Sequence, residues 1–361
     1  MLKNKRLLLF FTMISLIIIG LIMIYSSSYI WADYKFNDSL KYVRGQTIFF
    51  IIGLFLIYII LKLDSNFFYK YSKLFLISSF VLLILVLIPG IGVVRNGSRS
   101  WFGIGSFGVQ PSEAMKLALI ISVSKFLSLN TKAHKSIKGI LPVLGLTALS
   151  FLLIMLQPDF GTGFILVLGI IAILFVSGVK TKYFTMLGII GVVGAIFLIL
   201  IAPYRMDRIT SFLNPWKDPL GTGFQIIQSL FAIGPGGLLG FGFLNSRQKH
   251  FYLPEPQTDF IFSIICEEFG IVGAFVVILL FAILITLIIK LALQTDNLFK
   301  KYLIFGLGFQ IIFQAILNLS VVIGLIPVTG VTLPFISYGG SSLLITMLSI
   351  GIILNVSNNK N

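Results

Sequence analysis

The sequence predicts an all-α, polytopic integral membrane protein with about ten transmembrane helices and one long folded extracellular loop. Three observations predict it. Hydrophobic residues make up 57% of the chain and charged residues 11%, and the mean hydropathy is +1.04, a balance that a soluble domain of 361 residues would not tolerate. The apolar residues gather into runs long enough to cross a bilayer, which takes roughly 20 helical residues because each backbone polar group must be satisfied within its own segment. Lysine and arginine are also divided unequally between alternate connections.

The first run, 7–27, follows "MLKNKRLLLFF" and, since no small-residue cleavage site clearly follows it, reads as a retained segment, a signal anchor or, the favoured reading, simply the first span. The next six are 46–62, 74–94, 112–129, 137–157, 161–178 and 183–203, and the last three are 260–289, 302–326 and 333–356. With the N-terminus inside, the inner segments collect Lys3, Lys5 and Arg6, then Lys62, Lys70 and Lys73, then four lysines between Lys125 and Lys138. The short outer loops hold only Lys35, Lys41, Arg44, Arg95 and Arg99, so both termini are expected on the cytoplasmic side of the cytoplasmic membrane. The net charge of +15 is then a topology signal and an attraction to anionic headgroups, not a sign of nucleic acid. The single cysteine, Cys266, excludes an internal disulfide, and with only His134 and His250 beside it a soft-ligand metal site is not expected.

Most connections are short, so residues 1–361 read as one membrane domain. The exception is the loop 204–258 between spans 7 and 8, too rich in aromatic and aliphatic residues to be disordered. Within it Phe224, Ile227, Leu230 and Phe231 fall at helical spacing, which predicts a short interfacial helix ended by the glycine cluster 234–242. Two further outer loops, 95–113 and 329–342, share its glycine and aromatic character, and together the three suggest one external site.

Ionisable residues at the border of a membrane are costly and mark candidate sites. From Asp259 to Ile289 the last overlong span would measure about 46 Å, more than a crossing needs. Residues 259–270 are therefore expected to project into an outer, water-accessible crevice, with Asp259, Ser263 and Glu267 on one face and Thr258 capping the helix. Asp259 is then either a first-turn carboxylate favoured by the helix dipole or a functional acid. In "QPSEAMK", Pro111 starts a helix and Glu113 and Lys116 lie one turn apart, as a local ion pair or as substrate ligands. Asp159 in "QPDFGTG" suits a turn. Arg205, Arg208 and Lys217 in "YRMDRITSFLNPWKDP" suit either lipid headgroups or a phosphate-bearing ligand.

The segments "RMDRITSFLNPWKDPLGTGFQIIQSLFAIGPGG", "SRQKHFYLPEPQTDFIFSIICEEFG", "TLPFISYGGSSL", "NGSRSWFGIGSFGVQPSEAMK" and "QPDFGTG" resemble the signatures of the FtsW/RodA/SpoVE (SEDS) family over almost the whole chain. "NPWKDPLGTGFQ" and "RQKHFYLPEPQTDFIF" resemble the division and sporulation branch, FtsW and SpoVE, more than RodA. The resemblance implies a ten-span peptidoglycan glycosyltransferase that polymerises lipid II on the outer face with a class B penicillin-binding transpeptidase, alongside other divisome or elongasome proteins. It implies that Asp259 is the catalytic acid and that Glu113, Lys116, Asp159, Arg208 and Asp218 match recurrent positions with less defined roles. Attack of a sugar 4-hydroxyl on a diphosphate-linked anomeric carbon needs a base, assigned to Asp259, and cations at the diphosphate, assigned to Arg205 and Arg208 with Lys116. A divalent cation, Mg2+ or Mn2+, is compatible with that chemistry, although no dedicated cage is visible in the sequence. A RodA-type elongation enzyme, a lipid II flippase using Glu267 and Glu268, and a non-catalytic scaffold remain the alternatives.

Overall fold

The computed structural model describes residues 2–358 except 96, 105, 106 and 202. Helices α1 (Leu2–Phe36), α2 (Lys41–Lys62) and α3 (Phe67–Leu85) lead into a three-stranded antiparallel meander of β1 (Val93–Arg95), β2 (Ser98–Ile104) and β3 (Phe107–Val109). Four more long helices follow: α4 (Pro111–Leu129), α5 (Ile137–Met155), α6 (Phe160–Val176) and α7 (Thr181–Ile201). Short helices α8 (Pro203–Leu213) and α9 (Phe224–Ile233) precede α10 (Ile261–Leu293), α11 (Leu298–Val322) and α12 (Gly340–Val356).

Each of the ten predicted spans overlaps a long helix, although 74–94 runs past the end of α3 at Leu85 into β1 and 333–356 begins before α12. Six of these helices are long and apolar enough to cross a membrane, and α6, α12 and the first part of α7 are shorter apolar helices. Helix α4 is the polar exception because it carries Glu113 and Lys116, and the bundle buries both. The starts follow local chemistry. Pro111 occupies the first turn of α4, where its missing N–H costs nothing. Ser136, Asp159 and Asn297 cap α5, α6 and α11 by accepting from the amides of Gly139, Thr162 and Lys300.

Helix α11 is the central strut, packed against α10, α6, α4 and α12. Its buried Leu303, Leu307 and Ile311 join Leu119, Ile120, Ile170 and Ile173 in one apolar core. Helix α2 pairs with α12, α3 with α4, and α1 with α10, while α7 makes its main contact with α8 and turns Ile189, Ile190, Val193 and Phe197 outward.

Three expectations are corrected. The 95–113 loop contains a small sheet. Helix α8 was not anticipated, whereas α9 is the short helix expected before the glycine cluster, turning Ile226, Ile227 and Ala232 into the protein and leaving Leu230 and Phe231 exposed. An interfacial helix has apolar neighbours on both its lipid and protein sides, so spacing alone does not say which face is buried. Residues Ile261–Glu268 are buried rather than lining a water-accessible crevice.

The cause of that burial is a break in α10. Gly270 has φ 61° and ψ −155° and splits the helix, leaving the rest to span alone as the sequence suggested. In a bilayer, backbone groups freed by such a break must be satisfied by other protein groups. The loop 237–242 supplies them: Ile271 N and Val272 N donate to Gly237 O and Leu238 O at 2.9 and 3.2 Å. In return Phe241 N and Gly242 N donate to Glu267 O and Glu268 O, both at 2.9 Å. The approach is so close that a Cβ on Gly270 would lie 2.5 Å from the Leu238 carbonyl carbon, which explains the glycines here.

Gly270→Ala combines a left-handed backbone with a clash, and should destabilise the protein by at least about 2 kcal/mol. Heating of the detergent-solubilised protein should show a lower midpoint, and an unchanged midpoint would contradict the clamp.

Candidate functional site

The loops that join the helices at one end of the bundle converge. Ser98 of β2 donates to Gln157 O in the α5–α6 connection, and Gln110, just before α4, donates to Asp159 Oδ2 at 2.6 Å. Arg208 of α8 donates to Val328 O at 3.1 Å, and Tyr338 N donates to Gln257 O at 2.8 Å. These bonds tie the loop 95–113 to the α5–α6 connection, α8 to Val328, and the loop 329–342 to the segment 251–260.

Asp259 lies in that segment, just before α10 begins. Asn318 Nδ2, on α11, donates both to the Asp259 carbonyl at 2.7 Å and to Val331 O at 2.8 Å, which pins the acid to the loop between α11 and α12. Ser337 Oγ adds a bond to Thr258 O at 2.6 Å. Thr258 does not cap α10: its hydroxyl donates to Glu255 O at 2.8 Å, and Phe260 holds the cap position. The Asp259 carboxylate lies deep among protein atoms yet keeps some exposed surface, and a Cβ at Gly330 would come within 3.9 Å of its Oδ2. Burial first, then the Glu255 carboxylate, pushes Asp259 from the usual 3.8 up to about 6, with Arg208 opposing. Such a group is ionised at neutral pH yet basic enough to accept a proton.

Beside it runs a buried polar chain. Glu113 and Lys116 form a 2.9 Å ion pair with side chains only 6% and 3% exposed. Lys116 Nζ also donates to Gln314 Oε1 at 3.2 Å, and Gln314 Nε2 donates to Thr332 O at 3.1 Å. Gln314 and Asn318 are one turn apart on α11, so a single helix face holds the ion pair, the loop and the acid. Among the described residues Glu113 Oε2 has no hydrogen-bond partner.

The other predicted residues are placed differently. Asp159 serves as the α6 cap, held by Thr162 N and Gln110, and burial raises its pKa. Asp218 is exposed and folds its own loop, accepting from Gly221 N and Thr222 N; those bonds, the Thr222 amide foremost, hold its carboxyl below the usual range. Arg208 is exposed on α8 and acts electrostatically on Asp259. Arg205 lies on the same helix, but its side chain falls outside the described residues.

Glu267 and Glu268, expected near a crevice, are tied down. Glu267 accepts from the Ser246 hydroxyl at 2.5 Å and the Arg247 amide at 2.8 Å. Glu268 pairs with Lys249 at 2.8 Å, both side chains 0% exposed, and accepts from Ser26 of α1 at 2.6 Å. Gln314, Asn318 and Lys249 were missed by sequence reasoning. Two amides four residues apart in an apolar span, "FQAILN", were the available signal.

A sequence profile described as cell cycle protein, covering FtsW, RodA and SpoVE, matches residues 6–361. The chain is 52% identical to Stage V sporulation protein E of Bacillus subtilis over 98% of this chain and 97% of that protein. It is 39% identical to a probable peptidoglycan glycosyltransferase FtsW of Saccharophagus degradans over 97% of this chain and 91% of that one. Among solved structures it superposes on a chain from a study of the coordination of polymerization and crosslinking by a peptidoglycan synthase complex. That match has a TM-score of 0.79 and 31% identity, and covers 97% of this chain and 96% of the other. The rod shape determining protein RodA of Thermus thermophilus matches with a TM-score of 0.70 and 27% identity, covering 97% and 95%.

Removing one partner of a fully buried ion pair strands the other charge. Lys249→Met should cost about 3–5 kcal/mol, read as a lower midpoint on heating. The double variant Lys249→Met/Glu268→Gln should recover part of that loss; equal losses in both would show that Glu268 is not the stranded group.

Proposed function

The chain belongs to the FtsW, RodA and SpoVE family, and from that premise we propose how its loop-rich end works as a peptidoglycan glycosyltransferase that polymerises lipid II. The observation that supports the reading most is Asp259: a carboxylate fixed through its backbone by Asn318, poised near 6, and set beside Gly330 of the loop between α11 and α12.

Asp259 accepts the proton of the acceptor sugar's 4-hydroxyl. The freed oxygen forms a bond to the anomeric carbon of a second lipid-linked saccharide as that carbon's bond to the diphosphate breaks. The polyprenyl diphosphate leaves with the bonding pair, and Asp259 returns its proton to solvent or to the diphosphate. The leaving group needs positive charge, and Arg208 is the exposed cation already acting on Asp259, with Arg205 one turn earlier on α8. Lys116 is committed to Glu113 and Gln314, so its part is to stiffen α4 against α11, unless an arriving ligand draws it from that pair. Among the described residues no three of His, Cys, Asp and Glu converge on a metal-binding geometry. A divalent cation would therefore arrive with the diphosphate rather than reside in a protein cage, and no step here runs through one.

The partner is a class B penicillin-binding transpeptidase, in keeping with the synthase complex of the structural relative. The reaction belongs on the outer face, with both termini cytoplasmic as the lysine distribution requires. Identities of 52% to a sporulation protein and 39% to an FtsW favour the sporulation or division branch over elongation.

With the transpeptidase present, Asp259→Asn should convert no labelled lipid II to glycan while keeping the wild-type melting midpoint; polymer at the wild-type rate would exclude this base. The pH profile follows from the same group. A base must be ionised, so the rate should be flat above the pKa and fall as pH drops through about 6. A profile that falls only near pH 4 would place Asp259 outside the proton transfer.

A further inference from the structure

At the loop-rich end of α1 lies a second concavity that the proposed chemistry does not use. A cavity of about 490 Å³ is lined by Tyr25, Tyr29, Asp33, Tyr34, Ser39 and Phe251, a size suited to a small organic ligand. Aromatic residues at a membrane border often serve only as interfacial anchors. Here, however, the rings line an open concavity and hold one another. Tyr25 and Tyr29 lie 5.6 Å apart, and Phe251 meets the edges of Trp31 and Tyr34 at 5.7 and 5.4 Å. Phe251 has φ 67°, a conformation that a non-glycine residue keeps only where its surroundings over-determine it.

The lining also selects a class of ligand. It offers ring faces, tyrosine and serine hydroxyls and one carboxylate, but no cation. Two lysines lie beyond the lining: Lys35 over the Trp31 ring at 5.2 Å, and Lys249 behind the Tyr29 ring at 5.1 Å, the latter already paired with Glu268. Within the lining itself a diphosphate would meet a carboxylate and no positive charge. A neutral polyhydroxy ring would lay its C–H face on an aromatic ring and donate hydroxyls to Asp33. The pocket is coupled to the catalytic region, because Phe251 precedes Asp259 by eight residues, which limits their separation to about 29 Å. Outside the lining, the Tyr42 ring of α2 lies 6.2 Å from that of Phe36 and 4.9 Å from that of Tyr338, whose amide bonds to Gln257.

We propose that this pocket is a saccharide subsite that retains the growing glycan between successive transfers at Asp259. The proposal rests on the glycosyltransferase reading and deepens it. A retained strand meets the next lipid-linked sugar as an intramolecular partner, which favours lengthening one strand over starting another.

The test compares the wild-type chain with Asp33→Asn/Tyr34→Ala, both side chains being exposed and outside the core. Each is purified at full length with its transpeptidase, supplied with labelled lipid II, and separately titrated with chitotetraose. The variant should make strands several-fold shorter while consuming lipid II at the wild-type rate, and should bind chitotetraose about tenfold more weakly. Wild-type strand lengths in the variant would overturn the subsite, as would shortened strands that track a loss of transpeptidase in co-purification, since the patch would then be a protein contact. Asp259→Asn separates the two readings: it should make no glycan yet bind chitotetraose as the wild type does. If even the wild type polymerised nothing, the glycosyltransferase reading would fall and the chitotetraose titration alone would decide the subsite, for it if the variant binds more weakly and against it otherwise.

Discussion

A helix interrupted inside a bilayer must find new partners for the backbone groups it frees, and the rest of the loop-rich end depends on how that is met at Gly270. The freed donors of Ile271 and Val272 and the carbonyls of Glu267 and Glu268 are satisfied by residues 237–242. The same two glutamates use their side chains to hold Ser246, Arg247 and Lys249. One turn of α10 therefore anchors a dozen residues of the long loop through both backbone and side chain. The segment leaving this anchor begins at His250 and ends at Asp259, where the chain re-enters the bundle. Its freedom is removed at the near end by Glu268 and at the far end by Asn318 and Ser337.

Fixing a carboxylate in this way has two chemical effects. Desolvation favours its neutral form, so its proton affinity rises, while Arg208 limits the rise and keeps it ionised at neutral pH. The restraint acts through the Asp259 backbone carbonyl, which leaves the carboxylate oxygens available to a ligand. Gln314, one turn away, couples the Glu113–Lys116 pair to the same loop. A face of α11 bearing two amides thus holds the end of the long loop, the α11–α12 loop and the buried pair of α4 in register.

The ten long helices were legible because a span is set by its own apolar length, a purely local property. Asp259 was legible as an acid before an overlong hydrophobic run, and its role by resemblance. The break at Gly270 was hidden because the apolar pattern continues through it, and only its φ, ψ and the proximity of Leu238 reveal why glycine is required. The expected shared face of Asp259, Ser263 and Glu267 fails because α10 starts only at Ile261, after Asp259, while Ser263 bonds to Ser229 and Glu267 to the loop. The strands of 93–109 are three, seven and three residues long, too short and glycine-rich for alternation to register. Lys249, in a stretch of solvated-looking charges, gave no sign of complete burial, since its partners Ser26 and Glu268 are brought to it only by tertiary structure.

The Ser26–Glu268–Lys249 cluster joins residues 242 positions apart, and this bears on how the chain is made. Helix α1 enters the membrane long before Glu268 is synthesised. The turn bearing Glu267 and Glu268 cannot settle beside α1 as bare charges, because isolated carboxylates in so apolar a setting are prohibitively costly. It settles only together with Lys249 and the amides of residues 246–248. Late in biogenesis, the seating of this turn and the closing of the loop over it are therefore one event. The loop-rich end cannot take its final form before residue 268 is made, so a chain arrested earlier would carry α1 to α9 without the anchor of the long loop.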